Sequence, residues 1–171
     1  HVRHPNIALF YGACIGDSGG QVMLVLEQVQ GEPLQYYIAM IRAWRRESPS
    51  AGLQVSLMQS VCQALIHLHS RRPCIVHADV KPQNIIVERR HSGPFPKLLD
   101  FGLARAITRN VKPITSGTAH YFAPEFVVNL ECKASPAFDV FSVGRLLFFV
   151  ASGRRPLANL SQSQVLSAAR S

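Results

Sequence analysis

Paired cysteines are the first thing the sequence lacks. Cys14, Cys62, Cys74 and Cys132 form no Cys-x-x-Cys pair. That spacing excludes a zinc ribbon and a thioredoxin-like redox motif, and it reads as free thiols in a reducing compartment, the cytoplasm. Long apolar runs are lacking as well. The longest strongly apolar one, residues 146–151, is far too short to span a bilayer, so no membrane segment is expected in this piece. The first residue is His1 rather than Met, and no apolar signal region follows it; the expectation is a piece of something longer. Internal repeats and low-complexity tracts are absent. Acidic residues are scarce, 10 against 18 Lys and Arg, for a formal charge of +8. The basic residues stand in small groups, such as Arg42, Arg45 and Arg46 or Arg89 and Arg90. They come without the series of interleaved aromatics that a nucleic-acid stacking platform requires. They read as solvated faces and helix ends, and no nucleic acid is expected as a partner, whereas a phosphorylated or acidic ligand suits the charge.

What is present suffices for a core. Hydrophobic residues make up 47% of 171 residues, enough for one domain or a large part of one. Residues 7–15 and 21–29 are rich in β-branched and aromatic side chains and are separated by Asp17-Ser18-Gly19-Gly20, which predicts an antiparallel hairpin. Residues 34–46 are expected to be helical, and Ser48-Pro49-Ser50 then breaks the chain. Leu53, Leu57, Val61 and Leu65 recur at every fourth position with Met58 and Cys62 beside them. This predicts an amphipathic helix ending near Ser70. Short strands are expected around 84–87 and 97–99, and residues 100–124 show no clear period. Residues 138–151 read as a second helix, apolar enough to imply burial on most sides. The fold class is α+β: a small β unit, then mostly helices.

One polar stretch stands out. "HADVKPQN", residues 77–84, sets Asp79, Lys81 and Asn84 on a short loop between the apolar pair Ile75-Val76 and the run Ile85-Ile86-Val87. Pro82 rules out a regular helix running through it. Further words surround it: "HPNI" at 4–7, "LVLEQV" at 24–29, "DFG" at 100–102 after Lys97-Leu98-Leu99, "GTAHYFAPE" at 117–125 and "DVFSVG" at 139–144. Each is weak alone; in this order and at these gaps they are hard to obtain by chance. With them the chain resembles a eukaryotic protein kinase of the serine/threonine type, from His1 to about Pro156. The resemblance implies a protein-kinase-like fold. Residues 1–29 would be a remnant of the N-lobe with the hinge, and residues 30–171 a mostly helical C-lobe lacking its last helices.

It also implies a site. Asp79 would accept or orient the proton of a substrate hydroxyl, and Lys81 would contact the γ-phosphate of ATP. Asn84 and Asp100 would hold Mg²⁺, a hard cation suited to carboxylate and amide oxygens. Thr118 would hydrogen-bond toward Asp79 and Lys81. Leu26 matches the gatekeeper, Glu27 and Val29 would offer backbone groups to adenine, and Ile86 would lie beneath the ring. Phe10, His77 and Phe101 fall on a stacked apolar column, and Asp139 would tie down the catalytic loop. The partners implied are the nucleotide and a protein carrying the accepting Ser or Thr.

Departures from the family pattern are informative. Ala78 replaces the arginine that commonly pairs with an activation-loop phosphate, so activation without phosphorylation is expected. Arg145 stands in the apolar helix where it must snorkel or find a partner. A glycine-rich phosphate loop, a strand lysine and a helix glutamate are missing, and Gly16–Gly20 reads as a turn. After "SGRRP" at 152–156 only a stub is expected. A zinc site from His67, His69, Cys74 and His77 matches no standard spacing. Two other readings stand beside the kinase: a pseudokinase used as a binding or scaffold module, and a related small-molecule phosphotransferase. The intact set Asp79, Lys81, Asn84 and Asp100 speaks against the first, and Thr118 with the "APE" at 123–125 against the second.

Overall fold

A computed structural model describes residues 2–15, 22–99, 105–106, 119–125 and 135–169. The expected hairpin is formed by β1 (Phe10–Ile15) and β2 (Val22–Leu26), antiparallel and a little shorter than the apolar runs. Its register passes from Phe10 opposite Leu26 to Gly12 opposite Val25. Tyr11 is therefore the extra residue of a bulge. β3 (Glu32–Pro33) leads directly into α1 (Leu34–Arg45), and α2 (Ala51–His69) follows. Ser50 caps α2 by accepting a hydrogen bond from the Leu53 N–H at 3.3 Å, which satisfies one of the free donors at the helix start.

The segment after α2 departs further from expectation. Following the short β4 (Ile75–Val76), residues 85–98 form a full hairpin of β5 (Ile85–Arg90) and β6 (Gly93–Leu98) rather than two short strands. Pro94 and Pro96 masked β6 in the sequence, because proline removes a ladder donor. The register resolves the conflict. Arg89 faces Pro94 and Val87 faces Pro96. The two prolines are two residues apart, so both turn their nitrogens the same way, off the ladder with β5. The outer side of β6 is closed by the "HPNI" segment instead. Ile7 lies parallel to Leu98, the Ala8 N–H donates to the Leu98 carbonyl at 2.9 Å and the Leu98 N–H to the Asn6 carbonyl at 2.8 Å. The Asn6 side chain donates to the Pro96 carbonyl at 2.8 Å. β3, β5 and β6 make one sheet, and β4 pairs antiparallel with β7 (Arg105–Ala106).

The core lies where α1, α2 and this sheet meet α3 (Pro136–Ser152). Leu34, Ile38, Leu57, Leu68, Ile85, Val87, Leu98, Leu146 and Val150 are almost wholly buried there. Each such side chain contributes about 1.5–3 kcal/mol over exposure. The expectation that α3 is covered on most sides is corrected: Phe138, Asp139, Ser142, Leu146 and Val150 are buried, while Val140, Leu147 and Phe148 are exposed. Arg145 finds its partner on its own helix, its guanidinium lying 5.1 Å from the Phe141 ring centre in a cation–π contact. Gly153, at φ 68°, ends α3 by donating to the Phe149 carbonyl at 2.7 Å, a turn that favours glycine.

The supposed stub also folds. α4 (Gln162–Ala168) starts with a capping box in which Ser161 accepts from the Gln164 N–H and the Gln164 side chain accepts from the Ser161 N–H. The signal was legible as Ser-x-x-Gln. Among the described residues no helix is long and apolar enough to cross a membrane.

Candidate active site

The polar loop is anchored before it is functional. Asp139, in the first turn of α3 and fully buried, accepts hydrogen bonds from the backbone N–H groups of His77 at 2.9 Å and Ala78 at 2.8 Å. Its third contact is the His69 Nε2 at 2.8 Å. A buried carboxylate needs such donors, since an uncompensated one is expensive to desolvate. Ala78 adopts φ 63°, an uncommon conformation for a residue with a Cβ. At this bend two successive N–H groups converge on one carboxylate. The resemblance placed Asp139 here; His69 was missed. Nothing in its helix period marks it, because it is the last residue of α2 and meets Asp139 only through the fold.

His77 sets the next layer. It is fully buried, with Nε2 2.9 Å from the Leu99 carbonyl and Nδ1 3.3 Å from the Asp79 N–H. An Nε2–H tautomer satisfies both, donating to Leu99 and accepting from Asp79. The ring thereby links the loop to the residue preceding Asp100.

On this base the three sequence-predicted residues come together. The Asp79 carboxylate is 2.7 Å from the Lys81 Nζ. The Asn84 side-chain nitrogen donates to the same carboxylate oxygen at 2.8 Å and to the Asp79 carbonyl at 2.9 Å. Asp79 and Asn84 are buried and Lys81 is partly so. Pro82–Asn84 makes a single 3₁₀ turn, which brings Asn84 back over Asp79. With its nitrogen turned to Asp79, the Asn84 amide has its carbonyl oxygen left for a hard cation, a donor of the type Mg²⁺ takes. Asp100 and Thr118 lie outside the described residues.

The other predicted positions lie on the end of β2, the segment after it, and β5. Leu26 ends β2 and is half exposed. Glu27 follows it, and its N–H donates to the Leu9 carbonyl at 2.7 Å. Of its backbone groups, the carbonyl is therefore the one open to a ligand. Its carboxylate pairs with Lys97 on β6 and accepts from the Leu9 N–H at 2.9 Å. The hydrogen bond from Lys97 holds the Glu27 carboxyl below its usual range, against the opposing effect of burial. Val29 is partly buried beyond it, and Ile86 is partly buried on β5 opposite Lys97. His69 and His77 are committed to Asp139 and Leu99. Among the described residues no three of His, Cys, Asp and Glu form a metal-binding cluster.

The class that this fold and loop define is the protein kinase domain. The family model of that description, protein kinase domain, matches residues 1–171, and the chain belongs to the protein kinase family. It is similar to the serine/threonine-protein kinase CTR1 of Arabidopsis thaliana, 32% identical over 169 residues, 98% of this chain and 20% of that protein. It is similar to the serine/threonine-protein kinase DCLK3 of Homo sapiens, 32% identical over 164 residues, 95% of this chain and 24% of that protein. Serine/threonine-protein kinase 36 of Pongo abelii is 36% identical over 168 residues, 97% of this chain and 12% of that protein. The chain thus spans a quarter or less of the length of these relatives. The family generally uses ATP and Mg²⁺ and acts on protein substrates.

Proposed function

We propose that the protein containing this chain transfers the γ-phosphoryl group of ATP to serine or threonine hydroxyls of a protein substrate. The observation that carries the reading is the convergence of Asp79, Lys81 and Asn84 on a loop clamped by Asp139. Phosphoryl transfer asks for alignment and charge neutralisation more than for covalent help. Asp79 orients the hydroxyl and takes its proton. Lys81, now paired with Asp79, is placed to meet a phosphate oxygen. Asn84, with Asp100, would hold Mg²⁺, which neutralises phosphate charge when bound. By the family resemblance, Thr118 would brace Asp79 and Lys81. Leu26, the Glu27 carbonyl, Val29 and Ile86 form the adenine side. In this reading residues 1–29 belong to the N-lobe and hinge and residues 30–171 to the C-lobe.

Ala78 bears on regulation. Its methyl is buried in an apolar cluster with Val76, Ala123 and Phe138. Ala123, the first residue of the "APE" segment, therefore shares an apolar cluster with the loop at the position where an arginine would need a phosphate. This supports activation without a phosphorylated loop.

The experiment is ATP-dependent phosphate transfer by the full-length protein to pools of Ser/Thr and Tyr peptides. Asp79→Asn is expected to lower the rate by about 10²-fold or more while the fold persists. Asp100→Asn is expected to do the same. Transfer at the parent rate in Asp79→Asn, or transfer confined to tyrosine, overturns the reading.

A further inference from the structure

A broad groove lies away from the proposed catalytic loop. It takes in about 1010 Å³ between the second half of α1, the start of α2 and the turn of the β5–β6 hairpin. Met40, Ile41 and Trp44 of α1 and Leu53 of α2 give it an apolar wall, and Arg89 and Arg90 stand on its rim. Strand β5 runs from Ile85, next to Asn84, out to Arg90. At about 3.3 Å per residue the rim is on the order of 17 Å from the loop.

Two features make this groove unlike ordinary surface. The first is Trp44, the single tryptophan of the chain, which is 83% exposed. Large aromatic side chains dominate binding energetics where they stand at a groove. The second is an unbalanced charge. The carboxylate of Glu88 is taken by Arg90, whose Nε and Nη2 lie 2.9 and 2.5 Å from one of its oxygens, and whose guanidinium also covers the Phe95 ring at 3.5 Å. Arg89 points to the α1 side and donates to the Met40 sulfur at 2.8 Å, a weak acceptor. Among the described residues no ion pair includes Arg89. The exposed His91 continues the rim. The groove thus offers an apolar floor beside a guanidinium that has no anion.

We infer that this groove docks an acidic peptide segment carrying one large apolar side chain, the apolar group against Trp44 and Met40 and the carboxylates on Arg89 and the neighbouring rim. The charge complementarity selects this occupant. A second copy of the chain, in which 18 Lys and Arg stand against 10 Asp and Glu, is a poorer match for this rim. The docking is separate from phosphoryl transfer and from nucleotide.

The test uses the full-length protein without nucleotide. A displayed library of random twelve-residue peptides is selected on it, and enriched peptides are synthesised with a fluorescein label for anisotropy. The expected result is enrichment of peptides of net negative charge with a Leu, Phe, Ile or Met. Their affinity is expected to fall at least tenfold in Trp44→Ala and in Arg89→Glu and to stay unchanged in Asp79→Asn. Both surface variants are expected to keep phosphate transfer to a short generic peptide, so loss of docking is separable from loss of activity. Enrichment of neutral or basic peptides, or binding by the two surface variants as tight as the parent's, overturns the inference. So does self-association that Trp44→Ala abolishes, because it gives the groove to a second copy.

Discussion

At the scale of residues, the loop is governed by groups held where the fold puts them. Asp79, Lys81 and Asn84 were legible in the sequence because they sit within six positions of one another and Pro82 excludes a helix. Their support was legible only in part: the resemblance placed Asp139, but His69 meets it across 70 positions. His4 is a second case. In the sequence it is the first letter of "HPNI"; in the fold its ring centre lies 5.2 Å from that of His67 on α2. Burial first, and the neighbouring His67 second, hold its pKa below the ordinary 6.5. The folded state therefore prefers His4 neutral. Its contribution to stability is whole above about pH 6.5 and is lost as pH falls below that value, because the unfolded chain takes up the proton first. His4→Asn keeps an acceptor near the Asn6 N–H, which now donates to His4 Nδ1 at 3.2 Å. Thermal unfolding measured from pH 7 to pH 5 is expected to show a smaller fall in this variant than in the parent. An equal fall would place the titrating group elsewhere.

At the scale of elements, the sequence spoke clearly where one period dominated. The four-residue recurrence of Leu53, Leu57, Val61 and Leu65 gave α2 with its end one residue early or late, and the apolar runs gave the β1–β2 hairpin. It spoke poorly where tertiary pairing overrode propensity. β6 contains two prolines and is recognisable only once β5 and residues 6–8 lie on either side of it. α3 was assigned too much cover because composition cannot say which face a helix presents. Close approach between elements is equally invisible. Gly31 precedes β3, and a Cβ there would lie 2.3 Å from the Val87 carbonyl oxygen and 2.7 Å from its carbon. Both atoms are backbone of the central strand β5, so neither can swing aside. Gly31→Ala is expected to push β3 off β5 and to cost about 1–3 kcal/mol, the usual range for overpacking. In chemical denaturation this is read as a lower midpoint with an unchanged slope. A midpoint equal to the parent's would show that β3 shifts freely. Because β3 opens into α1, the same change is expected to loosen the wall that carries Met40 and Trp44.

At the scale of the whole molecule, burial is uneven. α1, α2, α3 and strands β5 and β6 share one continuous core, whereas among the described residues β1 and β2 pair only with each other. Their apolar side chains are uncovered: Ile15 is 76% exposed, Leu24 63% and Val22 60%. The described links to the body are the pairing of residues 6–8 with Leu98 just ahead of β1 and the Glu27 contact to Lys97. A two-stranded hairpin without a covered face is at best marginal in water, and its free edges invite pairing with other chains. Residues 1–171 prepared alone are therefore expected to show two exchange regimes. Amides of β1 and β2 should exchange orders of magnitude faster than those of α2 and β5, which can open only with the core. The same preparation is expected to self-associate with rising concentration, and Val22→Lys with Leu24→Lys to suppress that association without changing the protection of α2. Hydrogen exchange read by mass spectrometry, alongside sedimentation, measures both. Slow exchange of the hairpin in a monomer would mean that the two strands are held by the body after all, and that the Glu27–Lys97 pair is a stronger tie than its partly exposed position suggests.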